Sequence, residues 1–101
     1  MYVVTSTFIV PIEKAQEVID IYKKRSRKVD QEPGFLRFQL LQNAKKLGEI
    51  SVYMEWDSKS SYLQWVRSQQ FKDIHELEKH YPDQELAGII PTIHQYEVVA
   101  T

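Results

Sequence analysis

Cysteine is absent from this sequence of 101 residues. Its absence excludes a disulfide framework, a thiolate nucleophile, an iron–sulfur cluster and a cysteine-ligated metal. No apolar run approaches the ~20 residues that span a bilayer, and the N-terminus lacks the charged and apolar regions of a signal peptide. The formal net charge is only -1, so no overall field attracts nucleic acid or an anionic membrane. We therefore expect a cytoplasmic protein that binds neither.

The composition is that of an ordinary globular protein. Hydrophobic residues make up 43% of the chain and charged residues 27%, which argues against disorder. The length suffices for one hydrophobic core and not for two, so we expect a single domain over residues 1–101. A domain of this size often completes its core or its pocket by pairing with a second copy of itself.

Hydrophobic periodicity predicts alternating strands and helices. The predicted elements are a strand over 2–10, a helix over 13–31, two strands over 35–42 and 49–56 joined by a polar turn, helical sequence over 56–81, and a strand over 92–100. This order is the α+β, ferredoxin-like β-α-β-β-α-β arrangement, an antiparallel sheet with helices on one face. The other face carries many apolar side chains, so we expect it to pack against a partner's sheet in a homodimer.

Two residues in the helical stretch, Trp65 and His75, are the first candidates for a site. In one unbroken helix they would be separated by a rise of roughly 15 Å and by about 80° around the axis. Ser68 can end one helix and cap the next, so a bend there could turn both side chains toward one cavity. An indole and an imidazole would suit a flat, aromatic, metal-bearing ligand. The alternatives are core packing for Trp65 and a structural role for His75.

Further candidates come from polar residues in apolar surroundings and from charge. Ser6 interrupts the apolar face of the first strand, and its hydroxyl needs a partner from the backbone, water or a ligand. Arg25 and Arg27 belong to a basic cluster that could bind carboxylates of a ligand, although a solvated helix end explains the cluster as well. The weakly patterned residues 82–91 are long enough to form a mobile lid.

The order of motifs resembles a known family along nearly the whole chain. The shared residues are Glu32-Pro33-Gly34-Phe35, then Glu55-Trp56, Tyr62-Leu63-Gln64-Trp65, Ser68, Phe71-Lys72 and His75. The pattern resembles the antibiotic biosynthesis monooxygenase superfamily of dimeric α+β barrels. Within it, Trp65 together with the Phe71-Lys72-x-x-His75 block is most similar to the small haem-degrading monooxygenases.

The resemblance implies a role for several residues. His75 would ligate the iron of haem, and Trp65 would press on the porphyrin. With haem as the ligand, Phe71 of the shared block and the basic residues Arg25 and Arg27 are the further candidates for binding it. Haem would be both cofactor and substrate, and the reaction would need molecular oxygen and an external reductant. The chain departs from the pattern at Ser6, where those enzymes have an Asn over the open face of the iron. Ser offers one hydroxyl in place of an amide on a longer side chain.

We therefore expect an oxygen-dependent haem-degrading monooxygenase that releases iron. One alternative is a metal-free monooxygenase of the same superfamily that acts on a small aromatic or polyketide substrate. The other is a dimer that binds haem or another small molecule without turnover.

Overall fold

The chain folds in the order strand, helix, two strands, helices and strand. A computed structural model describes all residues from 1 to 101. The strands are β1 (Tyr2–Ile9), β2 (Phe35–Gln42), β3 (Glu49–Trp56) and β4 (Thr92–Glu97). The helices are α1 (Ala15–Lys23), α2 (Lys59–Val66), α3 (Gln69–Lys79) and the short α4 (Gln84–Ala87), and 3₁₀ turns occur at Ile12–Lys14 and Lys28–Gln31.

The four strands form one antiparallel sheet in the order β2-β3-β1-β4. Strands β2 and β3 are a hairpin, whereas β1 reaches the centre of the sheet and pairs with both β3 and β4. This topology confirms the predicted ferredoxin-like arrangement. No helix of the protein is long and apolar enough to cross a membrane.

The core lies between the helices and one face of the sheet. Successive side chains of a strand point to opposite faces, so this face receives every second residue of β1 and β3. The buried residues form two clusters. One comprises Tyr2, Val4, Val29, Trp56, Tyr62 and Trp65, and the other comprises Val10, Ala15, Val18 and Ile50. The first cluster packs under α2 and the second under α1, which fixes both helices on the same side.

The opposite face of the sheet mixes apolar and polar side chains. Thr7 and Ser51 hydroxyls are 2.7 Å apart, and the Tyr53 hydroxyl donates to Glu55 at 2.8 Å. His94 and Tyr96 stack at 6.1 Å between ring centroids. No element of the chain covers this face, and its pairing with a second copy remains a prediction.

The first helix is shorter than the sequence pattern predicts. The prediction extended it over 13–31, but α1 ends at Lys23 and Arg27 adopts a left-handed conformation with φ of 59°. A left-handed residue cannot continue a right-handed helix. The apolar pattern continues to Val29 because that residue is buried in the core from a separate 3₁₀ turn.

The predicted break in the second helical stretch is confirmed at Ser68. Helix α2 ends at Val66 and α3 begins at Gln69. The Ser68 hydroxyl donates a hydrogen bond to the Trp65 carbonyl at 2.6 Å and accepts one from the Phe71 amide at 3.1 Å. One side chain thus satisfies a backbone group of each helix at the point where intrahelical bonds end.

The connection between α3 and β4 is more ordered than a loose lid. Lys14 Nζ lies 2.9 Å from both Asp83 Oδ2 and Glu85 Oε2, which attaches the start of α4 to the start of α1. Leu86 and Ile89 pack against the core cluster beneath α1. These contacts hold the segment against the body of the domain.

Gly34 should tolerate no side chain. Its φ is +85°, and an added Cβ would lie 2.5 Å from Asp57 Oδ1 and closer still to Ser61 Oγ. Because both the backbone conformation and the space disfavour alanine, we expect Gly34→Ala to lower the free energy of unfolding by about 2 kcal/mol or more. Urea unfolding at fixed protein concentration measures the loss. The control is Gly88→Ala, where φ is negative and the nearest contact is 3.3 Å; equal losses in both variants would contradict the account.

The Lys14–Asp83 ion pair predicts a pH-dependent part of the stability. The hydrogen bond from Lys14 lowers the pKa of Asp83 below its ordinary 3.8. A lowered carboxyl pKa stabilises the fold above pH 3.8, and the effect disappears as the pH falls through the lower folded value. Lys14→Met should therefore lower Tm at pH 7 and have a smaller effect near about pH 2. Lys45→Met is the matched control, and a Tm difference that does not change with pH would contradict the assignment.

Candidate functional site

His75 lies on α3 with its side chain about half exposed, at 51%. Its ring packs on Phe71, with 4.2 Å between the ring centroids. Nδ1 is 3.3 Å from a carboxylate oxygen of Glu78, one turn further along the helix. This orientation leaves Nε2 as the nitrogen that is available to a ligand.

Trp65 is a core residue in this structure. It is 5% exposed and belongs to the cluster beneath α2. Its ring meets Phe71 edge-on, with 5.7 Å between centroids and 83° between planes. Phe71 therefore lies between Trp65 and His75, and the three rings form a continuous row from the core to the surface. Trp65 therefore occupies the core, which was one of the two alternatives, and a contact between Trp65 and a ligand remains a prediction.

Tyr22 on α1 belongs to a second group of aromatic rings. Its ring stacks with Phe8 and Phe38, at centroid distances of 6.2 and 6.3 Å. Burial, with a contribution from the charge of Glu78, raises the pKa of Tyr22 to about 12, so the phenol keeps its proton at neutral pH. Sequence reasoning assigned Tyr22 only to an apolar helix stripe. Its stacking with Phe8 and Phe38 depends on how α1 packs on the sheet, which residue spacing does not disclose.

Ser6 occupies the middle of β1 on the face that the helices cover. It lies opposite Val52 of β3 and Ile93 of β4, and it is partly buried. Its hydroxyl forms no hydrogen bond within the protein, so the local partner that the sequence left open is not present. An unpaired hydroxyl donor thus lies on the helix-covered face of the sheet.

The two arginines differ in their surroundings. Arg25 is 17% exposed and binds Asp30 through both guanidinium ends, at 2.9 and 3.3 Å, while its Cζ lies 3.9 Å from the ring centre of Phe38. Arg27 is 68% exposed and 3.7 Å from Asp30. Arg25 therefore closes the turn after α1, and a ligand carboxylate would have to compete with Asp30 for the guanidinium group of Arg25.

Two clefts lie away from these residues. One of about 360 Å³ is lined by Ile12, Lys46 and Leu47, and one of about 450 Å³ by Glu49, Ile90 and His94. Neither contains Ser6, Trp65 or His75. The rings of Phe8, Tyr22 and Phe38 stack between α1 and the sheet.

The donor set around α3 is compatible with haem. An imidazole with a free nitrogen is a common axial ligand of haem iron, and aromatic and aliphatic side chains suit the porphyrin plane. His75 supplies the nitrogen, and Phe71, Ile74 and the Phe8–Tyr22–Phe38 stack supply apolar surface. No group of three or more acidic or histidine side chains suggests a site for a bare metal ion.

Comparison with known proteins identifies the family. The model of the family described as "Antibiotic biosynthesis monooxygenase" matches residues 1–77. The chain therefore belongs to this family of monooxygenases. A relative from Halalkalibacterium halodurans named "Heme-degrading monooxygenase" is 30% identical over 77 residues, which is 74% of this chain and 66% of the relative, just under two thirds of its length.

Solved structures share the fold at lower identity. The haem degrader MhuD from Mycobacterium tuberculosis, with two haems bound, superposes with a TM-score of 0.77 at 24% identity, covering 100% of this chain and 98% of MhuD. SnoaB, a cofactor-independent oxygenase from Streptomyces nogalater, superposes with a TM-score of 0.71 at 13% identity, covering 99% and 94%. At these identities the likeness concerns the fold, which hosts oxygenases with and without a cofactor.

Proposed function

We propose that this protein is an oxygen-dependent monooxygenase that degrades haem. The observation that carries the proposal is the half-exposed imidazole of His75, whose Nε2 is free while Nδ1 faces Glu78. The name of the H. halodurans relative supports the same substrate. Bound haem would supply the iron that activates molecular oxygen, and an external reductant would supply electrons.

The residues of the chain would bind and orient the porphyrin. His75 would hold the iron through Nε2, and Phe71 would pack against the porphyrin on one side and against Trp65 on the other. Ser6 would approach from the sheet, on the side opposite α3, and its hydroxyl would donate a hydrogen bond to the reacting oxygen. Arg27, with its exposed guanidinium, is better placed than Arg25 to bind a porphyrin carboxylate.

The sheet face without helices would mediate a homodimer. Val3, Tyr53 and Tyr96 lie on it beside the Thr7–Ser51 hydroxyl pair, so a second sheet could bury apolar area and satisfy polar groups together. Sedimentation at micromolar concentration tests the assembly.

A metal-free oxygenase is the second candidate. The Phe8–Tyr22–Phe38 stack suits a flat aromatic substrate, and the protonated phenol of Tyr22 could donate a hydrogen bond to it. A dimer that binds haem without turnover is the remaining possibility.

One spectroscopic experiment separates these candidates. The protein is mixed with haemin, and a reductant is then added in air. A Soret shift followed by decay of the band is the result expected of a haem-degrading enzyme. A shifted band that persists would identify a carrier, and the absence of any shift would favour the metal-free reaction.

His75→Ala should abolish the shifted Soret band and leave the far-UV circular dichroism unchanged. The side chain is half exposed, and alanine is the best helix former, so the substitution costs little stability. Added imidazole should partly restore the band. His80→Ala is the matched control at the end of the same helix, because its side chain is 74% exposed. An unchanged spectrum in His75→Ala would exclude His75 as the ligand.

Substitution of Ser6 should change the rate of haem loss more than haem binding. A hydrogen bond to charge that develops in the reaction is worth about 10²–10³ in rate. Ser6→Ala should therefore slow single-turnover decay of the Soret band, and Ser6→Asn, which offers a longer amide donor, should accelerate it. Haemin affinity should stay nearly constant, since apolar contacts and the axial bond dominate it. Equal rates in all three proteins would place Ser6 away from the reaction.

A further inference from the structure

Glu78 is the acidic side chain that lies beside His75. Its Oε2 is 3.3 Å from His75 Nδ1, close enough for an ion pair but not aligned as a hydrogen bond, and its charge also contributes to the raised pKa of Tyr22. It lies three residues after His75, the spacing that brings helical side chains together on one face. No other acidic side chain forms a contact with His75.

A second histidine, His80 at the C-terminal end of α3, provides an internal comparison. His80 faces Glu76 through Nε2, at 3.2 Å, and Glu76 is also 3.7 Å from Lys79. The nitrogen that haem iron commonly uses is thus engaged in His80. His75 has the opposite arrangement, because its carboxylate partner lies at Nδ1 and leaves Nε2 unpaired.

The position of the proton on a neutral imidazole decides which ring nitrogen can bind a metal. A neutral ring carries one N–H, and the hydrogen bond at one nitrogen decides which nitrogen keeps its lone pair. A carboxylate at Nδ1 favours the tautomer with the proton there, which is the form that can bind a metal through Nε2. The same hydrogen bond makes the ligand nitrogen more basic.

We propose that Glu78 is the positioning residue of this site: when haem binds, its carboxylate, now 3.3 Å from Nδ1, would accept a hydrogen bond from His75 Nδ1–H and so present the Nε2 lone pair to the iron. The assignment rests on the proposed function. In water the pair contributes little, because both side chains are more than half exposed, at 51% and 59%. An apolar porphyrin covering the pair would exclude water and strengthen the hydrogen bond.

The first test uses the protein without haem, so it stands apart from the proposed function. Nitrogen-15 NMR of the imidazole rings, at a pH where they are neutral, reports which ring nitrogen carries the proton. Glu78→Ala should lower the Nδ1–H fraction of His75, and Glu78→Gln should keep part of it because its amide oxygen still accepts a hydrogen bond. Glu76→Gln is the matched control and should leave His75 unchanged. An unchanged Nδ1–H fraction in Glu78→Ala would overturn the proposal.

The second test uses haemin. Loss of such a partner typically weakens metal affinity about 10–100-fold, so Glu78→Ala should show this loss and Glu78→Gln a smaller one. The iron–imidazole stretching frequency of the reduced complex should fall in Glu78→Ala and remain unchanged in Glu76→Gln. Equal affinity and frequency in wild type and Glu78→Ala would overturn the assignment. If wild type bound no haemin, the proposed function would fail, and the tautomer measurement would still decide whether Glu78 orients His75.

Discussion

The hydrogen bonds of Ser68 are the local interaction on which the site depends. Its hydroxyl donates to the last turn of α2 and accepts from the first turn of α3, so the chain changes direction between Trp65 and Phe71. Without this break, Trp65 and His75 would be separated by roughly 15 Å along one helix and by about 80° around its axis. With it, α2 buries Trp65 in the core, while α3 carries Phe71 against that ring and His75 to the surface.

The architecture was predictable from the sequence because its signals are local. Alternating side chains define β3, the polar turn before Gly48 defines the hairpin, and Ser68 caps α3 as expected. The end of α1 was not predictable, because arginine has no special preference for the left-handed conformation that Arg27 adopts. Arg25 and Asp30 close the turn there, and such pairing depends on a geometry that spacing does not disclose.

Only part of the candidate site was predictable, because motif spacing locates residues along the chain but does not show how they pack. The positions of Trp65 and His75 follow from motif spacing, but the burial of Trp65 follows from packing against Tyr2, Trp56 and Tyr62, which come from three different elements. The contact between Glu78 and His75 depends on the rotamer of the imidazole, and the stacking of Tyr22 depends on how α1 packs on the sheet. The only available signal for Glu78 was its spacing of three residues from His75. These features arise from tertiary packing, and each affects what can bind beside α3.

The most direct test of the account is a crystal structure of the protein with haemin. The account predicts a porphyrin between α3 and the helix-covered face of the sheet, with His75 Nε2 bound to iron and Glu78 within hydrogen-bond distance of Nδ1. The rings of Tyr22, Phe8 or Phe38 should have moved to admit it. A porphyrin bound in the cleft beside Ile90, with His94 or His80 as the iron ligand, would contradict the account.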